Sequence, residues 1–77
     1  MYTYNICSEP DEHLFEKQCR ALEKYIPGLV KGSLLHDVDD SLTQCYSLGD
    51  SSIVVHNSYY IGALYIDSEI NLDNYFD

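Results

Sequence analysis

The sequence predicts an α+β domain in which one helix packs on a four- to five-stranded antiparallel sheet, in the order β-α-β-β-β-β. Two observations support this prediction: one capped segment with helical periodicity, and β-prone segments with apolar and polar residues in alternation along most of the remaining chain. A helix and a sheet that each carry one apolar face bury these faces against each other, which gives a two-layer domain. Residues 1–77 form one domain because no linker or shift in composition divides them.

The first strand is predicted over residues 2–7, where apolar and polar residues alternate. Ser8 then provides an N-cap, Pro10 a first-turn residue, and Asp11 the acidic member of a capping box. From there to the Pro-Gly stop at 27–28, apolar residues recur at spacings of three and four. This spacing predicts an amphipathic helix of about 16 residues, near residues 9–26.

Four more β segments follow the helix, separated by the turn signals DDS, GDSS and NS. Short strands joined by short turns form an antiparallel meander. The chain ends on YIDSEINLDNYFD (65–77), which mixes acids with apolar residues. This tail is interpreted either as an edge strand whose charges prevent aggregation or as part of a binding surface. The predicted segments are residues 29–38, 42–48, 53–57 and 59–67.

Charge is the strongest functional signal in the sequence. Thirteen acids oppose four bases, for a net charge of −9. All four bases lie between residues 17 and 31, and from Gly32 onward there are eight acids and neither lysine nor arginine. Such a surface repels nucleic acid and anionic membranes, and it attracts a basic surface on another protein.

The acids also occur in pairs that would share one face of a strand. Residues two apart on a strand lie about 6.6 Å from each other, roughly the axial rise of two nucleotides along one DNA strand. Asp37 with Asp39, and Asp67 with Glu69, are such pairs, and surface tyrosines would anchor a partner. The predicted partner-binding residues are Asp37, Asp39, Asp40, Asp50, Tyr59, Tyr65, Asp67, Glu69, Asp73 and Tyr75.

Other chemistry is less well supported by the sequence. The HDVDD segment (36–40) offers oxygen ligands for Mg²⁺ or Ca²⁺, but Leu42 and Leu48 stand where a calcium loop needs glycine and glutamate. A solvated hairpin turn is the better interpretation. Cys45 and His36 could meet across one hairpin as nucleophile and base, yet cysteine is commonly a buried residue. We therefore predict a protein that is not an enzyme and needs neither metal nor cofactor.

The cysteine count and the hydropathy pattern favour a cytoplasmic protein. Three cysteines without CxxC spacing favour reduced thiols. No apolar run approaches the roughly 18 residues that a membrane span needs, and the first 20 residues lack the pattern of a signal peptide. So small a domain would gain stability from hiding more apolar surface, which makes a homodimer compatible with the sequence.

In size and charge the chain resembles the small acidic inhibitors that phages and mobile elements encode against host nucleases and CRISPR complexes. This resemblance implies a DNA mimic that blocks the nucleic-acid-binding site of a basic protein or complex, in the host cytoplasm. The chain is also similar in size and charge to immunity proteins and antitoxins that block nuclease toxins. A generic small interaction module, whose charge only keeps it soluble, remains the third interpretation.

Overall fold

The structure, a computed structural model, describes residues 1–75 and confirms the predicted α+β class, with one helix on a five-stranded antiparallel sheet. Its elements are β1 (Tyr2–Cys7), α1 (Glu12–Tyr25), β2 (Val30–His36), β3 (Leu42–Leu48), β4 (Ser51–Ser58), β5 (Ala63–Ser68) and a 3₁₀ helix (Asp73–Tyr75).

The order of strands across the sheet is β1-β5-β4-β3-β2, and neighbouring strands are antiparallel throughout. After β1 the chain passes through α1 to the far edge of the sheet. It then returns as a meander from β2 to β5, which pairs with β1. Both edges of the sheet are therefore formed by the strands that flank the helix in sequence, β1 and β2.

The hydrophobic core lies between α1 and one face of the sheet. Phe15, Cys19 and Leu22 form the buried stripe of the helix, at the spacings of three and four that place side chains on one helical face. The strands contribute residues at a spacing of two, such as Ile53 and Val55 of β4. Burial raises the pKa of the Cys19 thiol, which keeps it protonated within the core.

The helix begins later than the sequence predicted, because its cap is Asp11 and not Ser8. The backbone of Asp11 is extended, with φ −149°, and its carboxylate accepts the N–H of Leu14 at 3.1 Å. This bond satisfies one of the N–H groups that every helix leaves free at its start. The residues before Asp11 form a connection from β1 and not a first helical turn.

The predicted turn at residues 57–58 is also wrong. Asn57 is buried, and its side-chain oxygen accepts the N–H of Asp11 at 2.8 Å, so it serves as a strand residue that faces the core. The chain turns at residues 59–62 instead, where Gly62 has a φ of 76°. That conformation costs glycine little. As a result Tyr59 and Tyr60 lie in a turn and not in the strand predicted over residues 59–67.

Residues 69–75 do not extend β5, so the edge-strand interpretation is wrong for the part of the tail that the structure describes. Leu72 is fully buried in the core cluster, and its N–H donates to the hydroxyl oxygen of Tyr4 at 2.8 Å. Ile70 and Tyr75 also pack against the core, whereas Asp73 is exposed. Ile70, Leu72 and Tyr75 thus complete the core, while Glu69 and Asp73 remain exposed.

Candidate partner-binding surface

Three loops meet at one end of the sheet. The N–H of Tyr59, in the β4–β5 turn, donates to Ser41 Oγ in the β2–β3 turn at 2.8 Å. The bond from Asp11 to Asn57 ties the start of α1 to the end of β4. We refer to this surface as the acidic end, which comprises residues 8–12, 37–41 and 59–62.

Carboxylates dominate the acidic end. Its three segments contain neither lysine nor arginine, so no basic residue within them offsets the negative charge. The side chain of Asp11 is half-buried as the helix cap, and the other acids are exposed. The six acids of this surface are Glu9, Asp11, Glu12, Asp37, Asp39 and Asp40.

The β2–β3 turn holds its carboxylates in place through hydrogen bonds of its own. The carboxylate of Asp39 accepts the N–H of Ser41 at 3.0 Å, and hydrogen bonding from Ser41 lowers the pKa of Asp39. Asp40 adopts a left-handed φ of 69°, and its carboxylate lies 3.1 Å from the His36 ring. The predicted hairpin turn is therefore present, with charged groups presented to solvent.

The strand spacing predicted for the acid pairs is absent. β2 ends at His36, so Asp37 and Asp39 lie in the turn and share no strand face. β5 ends at Ser68, which places Glu69 beyond the strand that carries Asp67. The carboxylates therefore do not repeat at the spacing of DNA phosphates. Only the density of negative charge on the surface still supports a DNA mimic.

Exposed apolar side chains project from the same surface. Tyr60 is 92% exposed at the tip of the β4–β5 turn, with Tyr59 and Ile61 exposed beside it. Val38 is fully exposed in the neighbouring turn. Of these four residues, only Tyr59 was among the predicted partner-binding residues. The exposure of the other three depends on where the turns lie in the structure. Exposed apolar groups ringed by charge are typical of interaction surfaces.

A cleft of about 370 Å³ opens between the turns and the start of α1. It is lined by Glu12, His36, Asp40, Leu42 and Tyr59. Carboxylates beside an aromatic ring favour a cationic side chain, such as that of lysine or arginine. Within residues 1–75 no group of His, Cys, Asp and Glu has the geometry to hold a metal ion.

Tyr65 and Asp67 lie elsewhere, on the face of the sheet opposite α1. The Tyr65 ring stacks on His56, with ring centroids 4.7 Å apart. The Asp67 carboxylate accepts the Thr3 hydroxyl at 2.8 Å and lies 3.5 Å from His56 Nε2. Burial lowers the pKa of His56, and the nearby Asp67 opposes that effect without reversing it. These side chains contact one another on the sheet surface.

The remaining predicted residues do not join the acidic end either. Asp50 lies in the β3–β4 turn at the opposite end of the sheet, where Glu69 Oε1 accepts the N–H of Ser52 at 2.6 Å. Asp73 and Tyr75 belong to the 3₁₀ helix of the tail. The ten predicted residues therefore occupy several separate places, and four of them form part of the acidic end: Asp37, Asp39, Asp40 and Tyr59.

The suggested pairing of His36 with Cys45 is not formed. His36 stands opposite Leu42 in the β2–β3 register, and Cys45 lies three residues further along β3. Because side chains alternate along a strand, Cys45 lies on the other face of the sheet from Leu42 and His36. The two side chains therefore cannot act as nucleophile and base.

Comparison of the chain with family models, with curated proteins and with solved structures finds no match. In the part of the chain that the structure describes, no helix is long and apolar enough to cross a membrane.

Proposed function

We propose that this protein is an acidic inhibitor that binds the nucleic-acid-binding surface of a basic partner, such as a nuclease or a CRISPR-type surveillance complex, as a phage anti-defence protein would. The observation that carries the proposal is the acidic end, where six carboxylates surround exposed apolar side chains without an intervening lysine or arginine. Proteins that bind nucleic acid gather lysine and arginine in the groove that receives the phosphates. The acidic end is complementary to such a groove.

The two kinds of side chain have different tasks in this proposal. Exposed carboxylates accelerate the encounter with a basic surface and make it sensitive to salt. Exposed aromatic and aliphatic groups hold the complex once it has formed, because hot spots are enriched in tyrosine. Tyr60 is the leading anchor because its ring is almost wholly exposed in the isolated protein. The cleft beside Tyr59 offers a place for one lysine or arginine side chain of the partner.

The proposal is tested with two variants that each lose four carboxylates. Asparagine and glutamine replace the acids because they retain an oxygen that can accept the same hydrogen bonds. The test variant combines Glu12→Gln, Asp37→Asn, Asp39→Asn and Asp40→Asn. The charge-matched control combines Asp50→Asn, Asp67→Asn, Glu69→Gln and Asp73→Asn.

Binding kinetics are measured at two salt concentrations against the partner recovered from the host, with duplex DNA as competitor. We expect the test variant to associate more slowly and to lose most of its salt dependence, while the control stays close to the wild type. Competition with DNA should be mutual. A test variant that associates no more slowly than the control would contradict an electrostatic role for the acidic end. Simultaneous binding of DNA and inhibitor would contradict the blocking of a nucleic-acid site.

The anchor is tested separately with Tyr60→Ala. If Tyr60 lies at the centre of the contact, its loss should weaken binding by about 2 kcal/mol, mainly through faster dissociation. Tyr25→Ala is the control, since this tyrosine is also exposed but lies at the C-terminal end of α1. Equal effects of the two substitutions would show that Tyr60 is not a specific anchor.

A further inference from the structure

Among residues 1–75, β2 is an edge strand with no neighbour on its outer side. The sheet order leaves it paired only with β3, and all seven of its residues are exposed. Leu34 and Leu35 are 56% and 57% exposed, and Val30 is 59% exposed. An exposed apolar edge strand tends to pair with another chain, and edges that must stay unpaired usually carry charges, proline or bulges. Lys31 and a bulge protect the first half of β2, whereas residues 34–36 contain no lysine, arginine, acid or proline.

A bulge divides β2 into two parts. Gly32 and Ser33 lie at the break in register with β3, and Gln44 Nε2 donates to both of their carbonyl oxygens, at 3.0 and 3.3 Å. A Cβ atom on Gly32 would lie 3.1 Å from the Cys45 carbonyl oxygen, so the tight bulge favours glycine. The regular segment available for pairing is therefore residues 34–36, which stay in register with β3.

Charge is distributed unequally along this edge. Lys31 lies near the start of β2, where its exposed Nζ is 3.8 Å from Glu23 Oε2. Three acids follow after the end of β2 at His36. A parallel pair of β2 strands would place like charges together. An antiparallel pair would place the acidic turn of each copy beside Lys31 of the other, so that the dimer has two such contacts. The edge is therefore complementary in charge to a second copy of itself.

We propose that two copies of this protein pair antiparallel through β2, about a two-fold axis at Leu35, and so join their sheets. Leu35 then faces Leu35 of the second copy, and Leu34 faces His36. The acidic turn that follows β2 in one copy then lies toward the Lys31 end of β2 in the other. The interface is isologous and closes at two copies. This inference does not require the proposed inhibitory function, although the turn at residues 37–41 takes part in both; Leu35→Lys leaves every acid in place and so tests the dimer alone.

A second copy suits the β2 edge better than the β1 edge. At a net charge of −9 two copies repel each other over most of their surface. The four bases are confined to α1 and the start of β2, which reduces that repulsion on this side of the molecule. Next to β1 lie the carboxylate of Asp67, which is bonded to Thr3, and the acids that follow Cys7. Pairing through β1 would bring these negative charges together.

The axis is tested by cross-linking. Leu35→Cys is made in a background that carries Cys7→Ser and Cys45→Ser, and the protein is oxidised under mild conditions. Residues directly opposite on antiparallel strands have Cβ atoms about 4.5–5.5 Å apart, close to what a disulfide requires. We expect a covalent dimer for this variant. Val30→Cys, equally exposed on the same strand but far from the axis, should stay monomeric on a denaturing gel. The reverse pattern, or no cross-link at Leu35, would overturn the proposed axis.

Sedimentation equilibrium supplies a measurement without cysteine. The wild type should approach twice the 8.8 kDa mass of the chain as its concentration rises. Leu35→Lys should remain a monomer, whereas Tyr2→Lys on the opposite edge should still dimerise. Circular dichroism confirms that each variant is folded. A wild type that stays monomeric, a series of larger assemblies, or a loss of dimer in Tyr2→Lys alone would each overturn the proposal.

A charge exchange tests the direction of pairing. All variants carry Glu23→Gln, because Glu23 Oε2 lies 3.8 Å from Lys31 Nζ within the same chain. Lys31→Glu alone and Asp39→Lys alone should each weaken dimerisation by about fivefold, since each replaces two symmetric attractions by repulsions. The variant that carries both substitutions should recover most of the loss, because the attraction is restored with its signs exchanged. Additive losses in the double variant would show that the two charges do not attract each other across the dimer.

Discussion

Replacement of Leu72 by alanine tests whether the acidic C-terminal segment is structural. The Leu72 side chain is 0% exposed within the core cluster. Truncation of a fully buried leucine costs about 2–5 kcal/mol, from lost transfer free energy and from the cavity that remains. A domain of this length has a free energy of unfolding of about 4–12 kcal/mol, at roughly 0.05–0.15 kcal/mol per residue. Leu72→Ala should therefore remove roughly a sixth of the total stability at the least, and close to half at the middle of both ranges.

The assay is equilibrium unfolding in urea, followed by circular dichroism and by tyrosine fluorescence. With a slope of about 1 kcal/mol/M, as small domains show, a loss of about 3 kcal/mol would lower the urea midpoint by roughly 3 M. Asn74→Ala is the control, because Asn74 belongs to the same segment but is exposed. It should change the free energy of unfolding by less than about 0.5 kcal/mol. Equal effects of the two substitutions would refute the packing of the tail against the core.

Two further predictions concern the helix start and the uncovered face of the sheet. Asp11→Ala should lower the free energy of unfolding by about 1 kcal/mol, while Ser8→Ala should have little effect; equal losses in urea unfolding would contradict Asp11 as the cap. His56 should titrate below its ordinary pKa of about 6.5 in an NMR experiment, and Asp67→Asn should lower that midpoint further, because the carboxylate raises the pKa. Since the folded state resists protonation of His56, stability should fall as the pH drops below about 6.5, and a His56→Gln variant should lack that part of the decline.

The helix and the class of fold were predictable because they depend on local periodicity. Phe15, Cys19 and Leu22 recur at helical spacing, and the same residues form the buried stripe of α1. The turn before β5 was not predictable in this way. Asn57 followed by serine is typical of a turn in an isolated segment, but a hydrogen bond to Asp11, distant in sequence, makes Asn57 a core residue.

The composition of the candidate surface was predictable, and its location was not. Charge segregation is visible in the sequence, and it led to a prediction centred on the acidic C-terminal half. The start of α1 lies near residues 37–41 because of the order of the strands. The chain passes from β1 at one edge of the sheet to β2 at the other edge, and it then returns through β3, β4 and β5. Glu12 and Asp40 line the same cleft for this reason. No pattern in the sequence indicates that Glu12 and Asp40 lie close together.

The mixture of acids and apolar residues in the C-terminal segment has a structural explanation that does not require a partner. Leu72 fills the core, while Glu69 accepts a backbone N–H from Ser52 and so fastens the end of β5 to the start of β4. A carboxylate of this kind is part of the fold, yet it still carries its charge. Glu69→Gln keeps an acceptor oxygen and removes only the charge. Substitution by glutamine therefore separates the contribution of the charge to stability from that of the hydrogen bond. Substitution by alanine would remove both at once.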